Sequence, residues 1–226
     1  MSTFPVTIAR RKYTSAAELA EVIRDRVVGG VLGHPGHAHP SEQFMSLGDA
    51  GDAAVHEALL LLVDAPEKVL VEALVHLSYG HEKQAFWEAL LARLEGTGPA
   101  LPEGSEHAVG RHLVDAIAEG PLLDRGIKAY EAHGMADHVL RVRLQTGTTS
   151  ERIAALAKAA VLGQLDAGLA KRAGRAIARQ DGEAVLDGAA ALFNADEDVR
   201  AAYRAGASRG DGSWTHRDDL TRALRL

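Results

Sequence analysis

Residues 64–80 read Asp64-Ala65-Pro66-Glu67-Lys68-Val69-Leu70-Val71-Glu72-Ala73-Leu74-Val75-His76-Leu77-Ser78-Tyr79-Gly80. Asp64, Pro66 and Glu67 are helix-opening residues: a side-chain acceptor, a ring whose missing N–H costs nothing in a first turn, and an anion at the positive end of the helix dipole. Val69, Leu70, Leu74 and Leu77 then form an apolar face, Lys68 and Glu72 are left to solvent, and Gly80 stops the run. The stretch predicts a short amphipathic helix, which must bury its stripe against other elements of the same kind.

The same signals recur outward from it. Ser15 with Glu18 reads as a capping box, and Leu19, Val22, Ile23 and Val27 follow at helical spacing to about Val28. Thr148 with Glu151, Asn194 with Glu197 and Thr215 with Asp218 each precede a periodic segment, while Gly96, Gly120, Gly134 and Gly147 sit where helices should stop. Only Phe4 to Ile8 alternates like a strand, and one strand makes no sheet. The expected class is all-α, a compact array of about 10 to 12 short antiparallel helices, with an α-solenoid of helix pairs as the other arrangement of the same elements.

Two stretches break the pattern: Gly29 to Gly51, dense in Gly, Pro and His, and the Gly/Pro run Gly96 to Ser105. The second divides the chain into a half at 1–95, a linker at 96–105 and a half at 106–226. The halves align with each other. Tyr13, Val22, Arg24, Arg26 and Gly30 recur 117 residues on as Tyr130, Val139, Arg141, Arg143 and Gly147. With small gaps Leu47 and Gly48 fall on Leu162 and Gly163, and Glu67, Val69, Leu70, Ala73, Ala85 and Ala89 on Glu183, Val185, Leu186, Ala189, Ala201 and Ala205. Trp87 falls on Tyr203. Internal duplication and chance alignment of two Ala/Leu-rich helical stretches both account for this.

A chain of 226 residues, 46% of them hydrophobic, buries roughly 70% of its unfolded surface and needs neither disulfide nor metal to fold. The absence of cysteine excludes disulfide frameworks, thiolate metal sites and thiol nucleophiles, and fits a reducing compartment. Met1 to Lys12 has no apolar signal core, and no segment approaches the roughly 18 uninterrupted apolar residues of a membrane span. The expectation is a cytoplasmic protein without a membrane partner. Net charge is −6, but residues 1–139 carry 11 basic and 20 acidic side chains and residues 140–226 carry 14 and 11. Ten of the eleven histidines lie between His34 and His138.

Several groups of residues are candidates for chemistry or binding. Asp52 and His56 are one helical turn apart, a spacing in which the carboxylate can fix the tautomer of a general acid or base; a helix-dipole Asp and a satisfied histidine have the same spacing. His34, His37 and His39 lie within six residues on a proline-stiffened loop and could hold a divalent transition metal, or simply line a solvated turn. Glu72 and His76 share a helix face, where His76 also reads as a core-edge residue; Phe86, Trp87 and Tyr79 read as core or interface aromatics. Lys171, Arg172, Arg175 and Arg179 form a basic stripe on an Ala/Gly-rich helix. Such a stripe suits an acidic partner or phosphate, or a solvated face that complements the acidic half, while the small residues suit close helix packing. Nucleic acid is not expected, since the chain is acidic and carries no helix-turn-helix, zinc-finger or aromatic-and-basic signature. Phosphate-loop and serine-hydrolase motifs are absent as well.

Residues 46–94 resemble the carboxymuconolactone decarboxylase and alkylhydroperoxidase D-like superfamily. The resemblance rests on Glu72-Ala73-Leu74-Val75-His76-Leu77-Ser78-Tyr79-Gly80 and on His56, sixteen residues before Glu72. Where the peroxidase branch has two cysteines before that histidine, this chain has Asp49 and Asp52, so the dithiol route is not implied. The acid–base chemistry of the decarboxylase branch is, with His56, Asp52 and Glu72 as its residues. In the second half Gln164, Ala167 and Lys171 or Arg172 occupy the matching places, so the resemblance implies a site in the first half alone. Three functions therefore stand open: a cysteine-free small-molecule protein acting near His56, a helical interaction protein whose oppositely charged halves drive self-association or partner binding, and a histidine-loop metal protein.

Overall fold

The computed structural model describes residues 3–8, 10–29, 48–77 and 84–208, excluding the side chains of 48–50 and 75–77. The fold is all-α. Among the described residues it has eleven helices and one small hairpin: β1 (Val6–Ile8), β2 (Arg11–Tyr13), α1 (Ala16–Val28), α2 (Gly48–Leu62), α3 (Lys68–Leu77), α4 (Gln84–Leu94), α5 (Glu106–Ala118), α6 (Leu123–Ala132), α7 (Ala136–Thr146), α8 (Thr149–Val161), α9 (Ala167–Gln180), α10 (Val185–Ala190) and α11 (Glu197–Ala207). No described helix is long and apolar enough to cross a membrane. The chain divides into two compact units between Ala116 and Ile117, within α5.

In the first unit α1 packs on α2 and α3, and α2 also meets β1 and α4. Leu19, Ile23 and Val27 of α1, Leu59 and Leu62 of α2, Leu70, Val71 and Leu74 of α3, and Phe86, Leu90 and Leu94 of α4 are all buried. The α3 stripe is rotated from its sequence reading: Val71 is buried and Val69, placed on the apolar face by spacing, is 51% exposed. The expected lone strand has a partner. Val6 pairs with Tyr13 and Ile8 with Arg11 in an antiparallel hairpin, its turn closed by Arg10 at φ 67°. Arg11-Lys12-Tyr13 gives no apolar alternation, and only the buried Tyr13 anchors it.

The segment 96–105 lies inside the first unit. Gly96 adopts φ 74°, and the N–H groups of Thr97 and Gly98 donate to the Ala92 carbonyl at 2.9 Å, folding the chain back over the end of α4. Arg93, 2% exposed, then fixes the segment: its guanidinium donates to the carbonyls of Pro99 (3.0 Å), Ala100 (2.7 Å), Ala65 (3.1 Å) and Val63. Burial lowers the Arg93 pKa and the charge of Asp64 raises it; an arginine is charged throughout the working pH range in either case.

The second unit is built on short side chains. Asp166 caps α9 by accepting from the Leu169 N–H at 2.7 Å, and α9 buries Leu169, Ala170, Ala173, Gly174, Ile177 and Ala178. Helices α9 and α11 run in close contact over much of their length. A Cβ on Gly174 would stand 3.0 Å from the Ala207 nitrogen, and one on Gly206 would stand 2.8 Å from the Lys171 carbonyl carbon. Glycine is what lets the two backbones meet. Tyr203 fills the end of this seam, fully buried, its hydroxyl donating to the Val185 carbonyl at 3.1 Å. Burial, with the negative charge of Asp187, pushes that phenol well above its ordinary range.

The expected caps are partly displaced. Thr148 and Glu151 form a complete capping box. Ser15 accepts from the Glu18 N–H at 3.2 Å, but Glu18 reaches back to Thr14 rather than to Ser15. Asp196, not Asn194, is the N-cap of α11, and Glu197 instead holds Arg200 and Arg204. Thr215 and Asp218 lie outside the described residues.

Candidate functional site

The α2 helix carries Asp52 and His56 one turn apart, Asp52 half-buried and His56 only 6% exposed. Each makes at least one polar or electrostatic interaction within the fold. Val55 and Leu59 beside them are fully buried, so the imidazole sits in the apolar side of the first unit. Glu72, the third residue expected with them, is engaged elsewhere. Its carboxylate lies 3.9 Å from the Lys68 Nζ one turn earlier on α3, both side chains about half exposed. The side chains of Asp49 and His76, and all of His34, His37, His39, Tyr79 and Gly80, lie outside the described residues. Phe86 is a fully buried core aromatic, whereas Trp87 is half-buried.

In the second unit Gln164 is a structural clasp. Its Oε1 accepts from the Ala136 N–H at 2.7 Å and its Nε2 donates to the Gly134 carbonyl at 2.9 Å, tying the α8–α9 turn to the start of α7.

The four cations of α9 lie on its outer side, Arg172 and Arg179 exposed and Lys171 and Arg175 partly so. The positions recur at i, i+4 and i+8, so Lys171, Arg175 and Arg179 follow one another at about 6 Å along one face. The helix carries no acidic side chain. No ion pair or side-chain hydrogen bond links any of the four to another described residue. Most other cations of the unit are engaged, exposed Lys128 excepted. Arg143 holds Glu151 at 2.8 Å, Lys158 holds Glu131 at 3.5 Å, and Arg141 lies 3.7 Å from Asp137 and 3.8 Å from Asp166. Arg200 and Arg204 share Glu197. Arg152 donates to the carbonyls of Arg143 (3.2 Å) and Ala176 (3.0 Å), and burial lowers its pKa.

Three features escape sequence reasoning. Besides the Arg93 and Arg152 backbone clamps, the second unit pairs a buried histidine with a partly buried aspartate: the His138 Nδ1 lies 2.7 Å from the Asp137 Oδ1, and the ring meets Tyr130 edge-on at 5.4 Å. Burial works to raise the Asp137 pKa, but the His138 hydrogen bond and the nearby charges of His138 and Arg141 prevail and hold it below its ordinary value. An ionised carboxylate accepts, so Nδ1–H donates. The adjacency of Asp137 and His138 in a first helical turn was the one visible signal; their burial depends on α6 supplying Tyr130.

No protein-family model, no curated protein and no solved structure matches the chain.

Proposed function

We propose that this chain is a helical interaction protein that holds an acidic polypeptide against the outer face of α9. The carrying observation is the contrast within one unit: Arg141, Arg143, Lys158, Arg200 and Arg204 are paired with carboxylates, whereas Lys171, Arg172, Arg175 and Arg179 meet none among the described residues. Three guanidinium forks and an ammonium on a rigid helix suit carboxylates spaced by helical turns. Ala176 between the cations and exposed Gly168 just before them leave room for a close approach. The exposed stretch between the cations offers no aromatic or large aliphatic side chain, which disfavours base stacking and insertion into lipid.

Titration of fluorescently labelled poly-L-glutamate tests the reading. The intact chain should bind at low ionic strength and release at about 1 M salt, where the screening length is about 3 Å. The Lys171→Gln, Arg172→Gln, Arg175→Gln, Arg179→Gln variant should not bind; binding equal to that of the unaltered chain would end the reading.

One observation favours a second reading, the small-molecule acid–base site of the resembled superfamily: His56 is buried with Asp52 one turn before it. That reading predicts that a small unsaturated lactone carboxylate shifts the His56 ring resonances, and that His56→Gln keeps the fold while abolishing the shift. An unresponsive ring makes His56 a core residue.

A further inference from the structure

The α9 stripe calls for an acidic partner, and the first unit of this chain is acidic in composition, although exposed Arg24 and Arg26 flank Asp25 on α1. Residues 1–116 hold 9 basic and 16 acidic side chains, a net of −7, whereas residues 117–226 hold 16 and 15, a net of +1. Exposed Glu21, Asp25 and Glu103 of the first unit, like the α9 cations, make no ion pair with another described residue. Glu21 and Asp25 stand one helical turn apart on α1, the same interval that separates Lys171, Arg175 and Arg179 on α9. We infer that the acidic partner of α9 is the first unit of a second copy of this chain. The inference rests on the interaction reading above and gives its partner a name.

Such a contact joins two different surfaces, so it is heterologous: each copy bound through its α9 still offers a first unit to the next, and each copy bound through its first unit still offers an α9. Assembly then proceeds to a ring or an open chain rather than stopping at a two-fold pair. Being built from exposed charges, it is strongest at low ionic strength and is lost as salt screens the pairs. The overall charge of −6 opposes it through repulsion between whole molecules, which favours modest, concentration-dependent assembly over permanent association.

Sedimentation velocity on the full chain tests this. The unaltered protein should sediment faster as its concentration rises at low ionic strength, and as a monomer in high salt. The variant with Gln at 171, 172, 175 and 179 should remain monomeric alone. Because its first unit is intact, the same variant carrying a fluorophore should nevertheless co-sediment with unaltered protein and shorten its assemblies by capping them. A monomer at every concentration overturns the inference, as does assembly that the variant shares, or a labelled variant that ignores the unaltered chain. Poly-L-glutamate separates the two levels: a monomeric protein that still binds the polymer through α9 overturns only the self-association, and one that binds neither overturns both.

Discussion

The two units place helices against each other with opposite kinds of side chain. Leu59 and Leu90 of the first unit precede Gly174 and Gly206 of the second by 115 and 116 residues, the offsets at which the two halves can be laid against each other. Both leucines are fully buried, and among the described residues α2 and α4 meet at only a few positions. The glycines instead let α9 and α11 run backbone to backbone. Leucine holds a pair of helices apart and fills the gap with apolar volume; glycine closes the gap and removes the volume. The closing segments differ in the same sense. The first unit needs the Arg93 guanidinium to gather four carbonyls from 63–65 and 99–100, while the second is held by the seam and the Tyr203 hydroxyl. One consequence reaches the surface: with its inner face committed to the seam, α9 has its cations only on the outside.

The largest loss of stability is expected at Arg93. Arg93→Met leaves buried carbonyls without their donor and should cost the first unit about 3–5 kcal/mol in urea unfolding, with the second unit little changed. Leu90→Ala opens a cavity and should cost about 2–5 kcal/mol in the same measurement. Gly206→Ala gains helix propensity but drives a methyl into the Lys171 backbone, for a net loss of about 1–3 kcal/mol confined to the second unit. If alanine were neutral there, the seam would not be close-packed. Thr148→Ala removes one side of the α8 capping box, for about 1 kcal/mol, and Ser15→Ala should cost α1 about the same or less.

Acid sharpens the same contrast with smaller effects. Glu18 and Glu67 in the first unit, and Asp137, Glu151 and Glu197 in the second, have lowered pKa values. Backbone hydrogen bonding leads for Glu18 and Glu151, arginine contacts for Glu67 and Glu197, and the His138 and Arg141 contacts overcome burial for Asp137. A carboxyl whose pKa is depressed in the folded state stabilises the fold above its unfolded value of about 4, and that contribution is lost as pH falls through the folded value. Acid titration of helicity should therefore show stability declining below about pH 4, with Thr148→Ala blunting the Glu151 share.

Much of this was legible in the sequence because caps and periodicity are local. Ser15, Thr148, Gly96 and Gly134 end helices where their chemistry says they should, and the small residues of 167–178 do mark a close contact. What was not legible depends on neighbours distant in sequence. The hairpin needs Arg10 in a left-handed conformation and Tyr13 in the core. Arg93 looks like one more surface cation until four carbonyls converge on it. The α9 stripe was visible as spacing, but its lack of carboxylate partners is a property of the surrounding helices. Glu72 belonged by spacing with His76, and the surface pair it forms with Lys68 lies on its exposed side.

The outer face of α9 as a binding surface is tested most directly by following arginine side-chain Nε–Hε resonances while poly-L-glutamate is added. The account predicts shifts at Arg172, Arg175 and Arg179 and none at Arg143, Arg200 and Arg204, whose carboxylates already hold them. Shifts spread evenly over paired and unpaired arginines, or absent from α9, would contradict it.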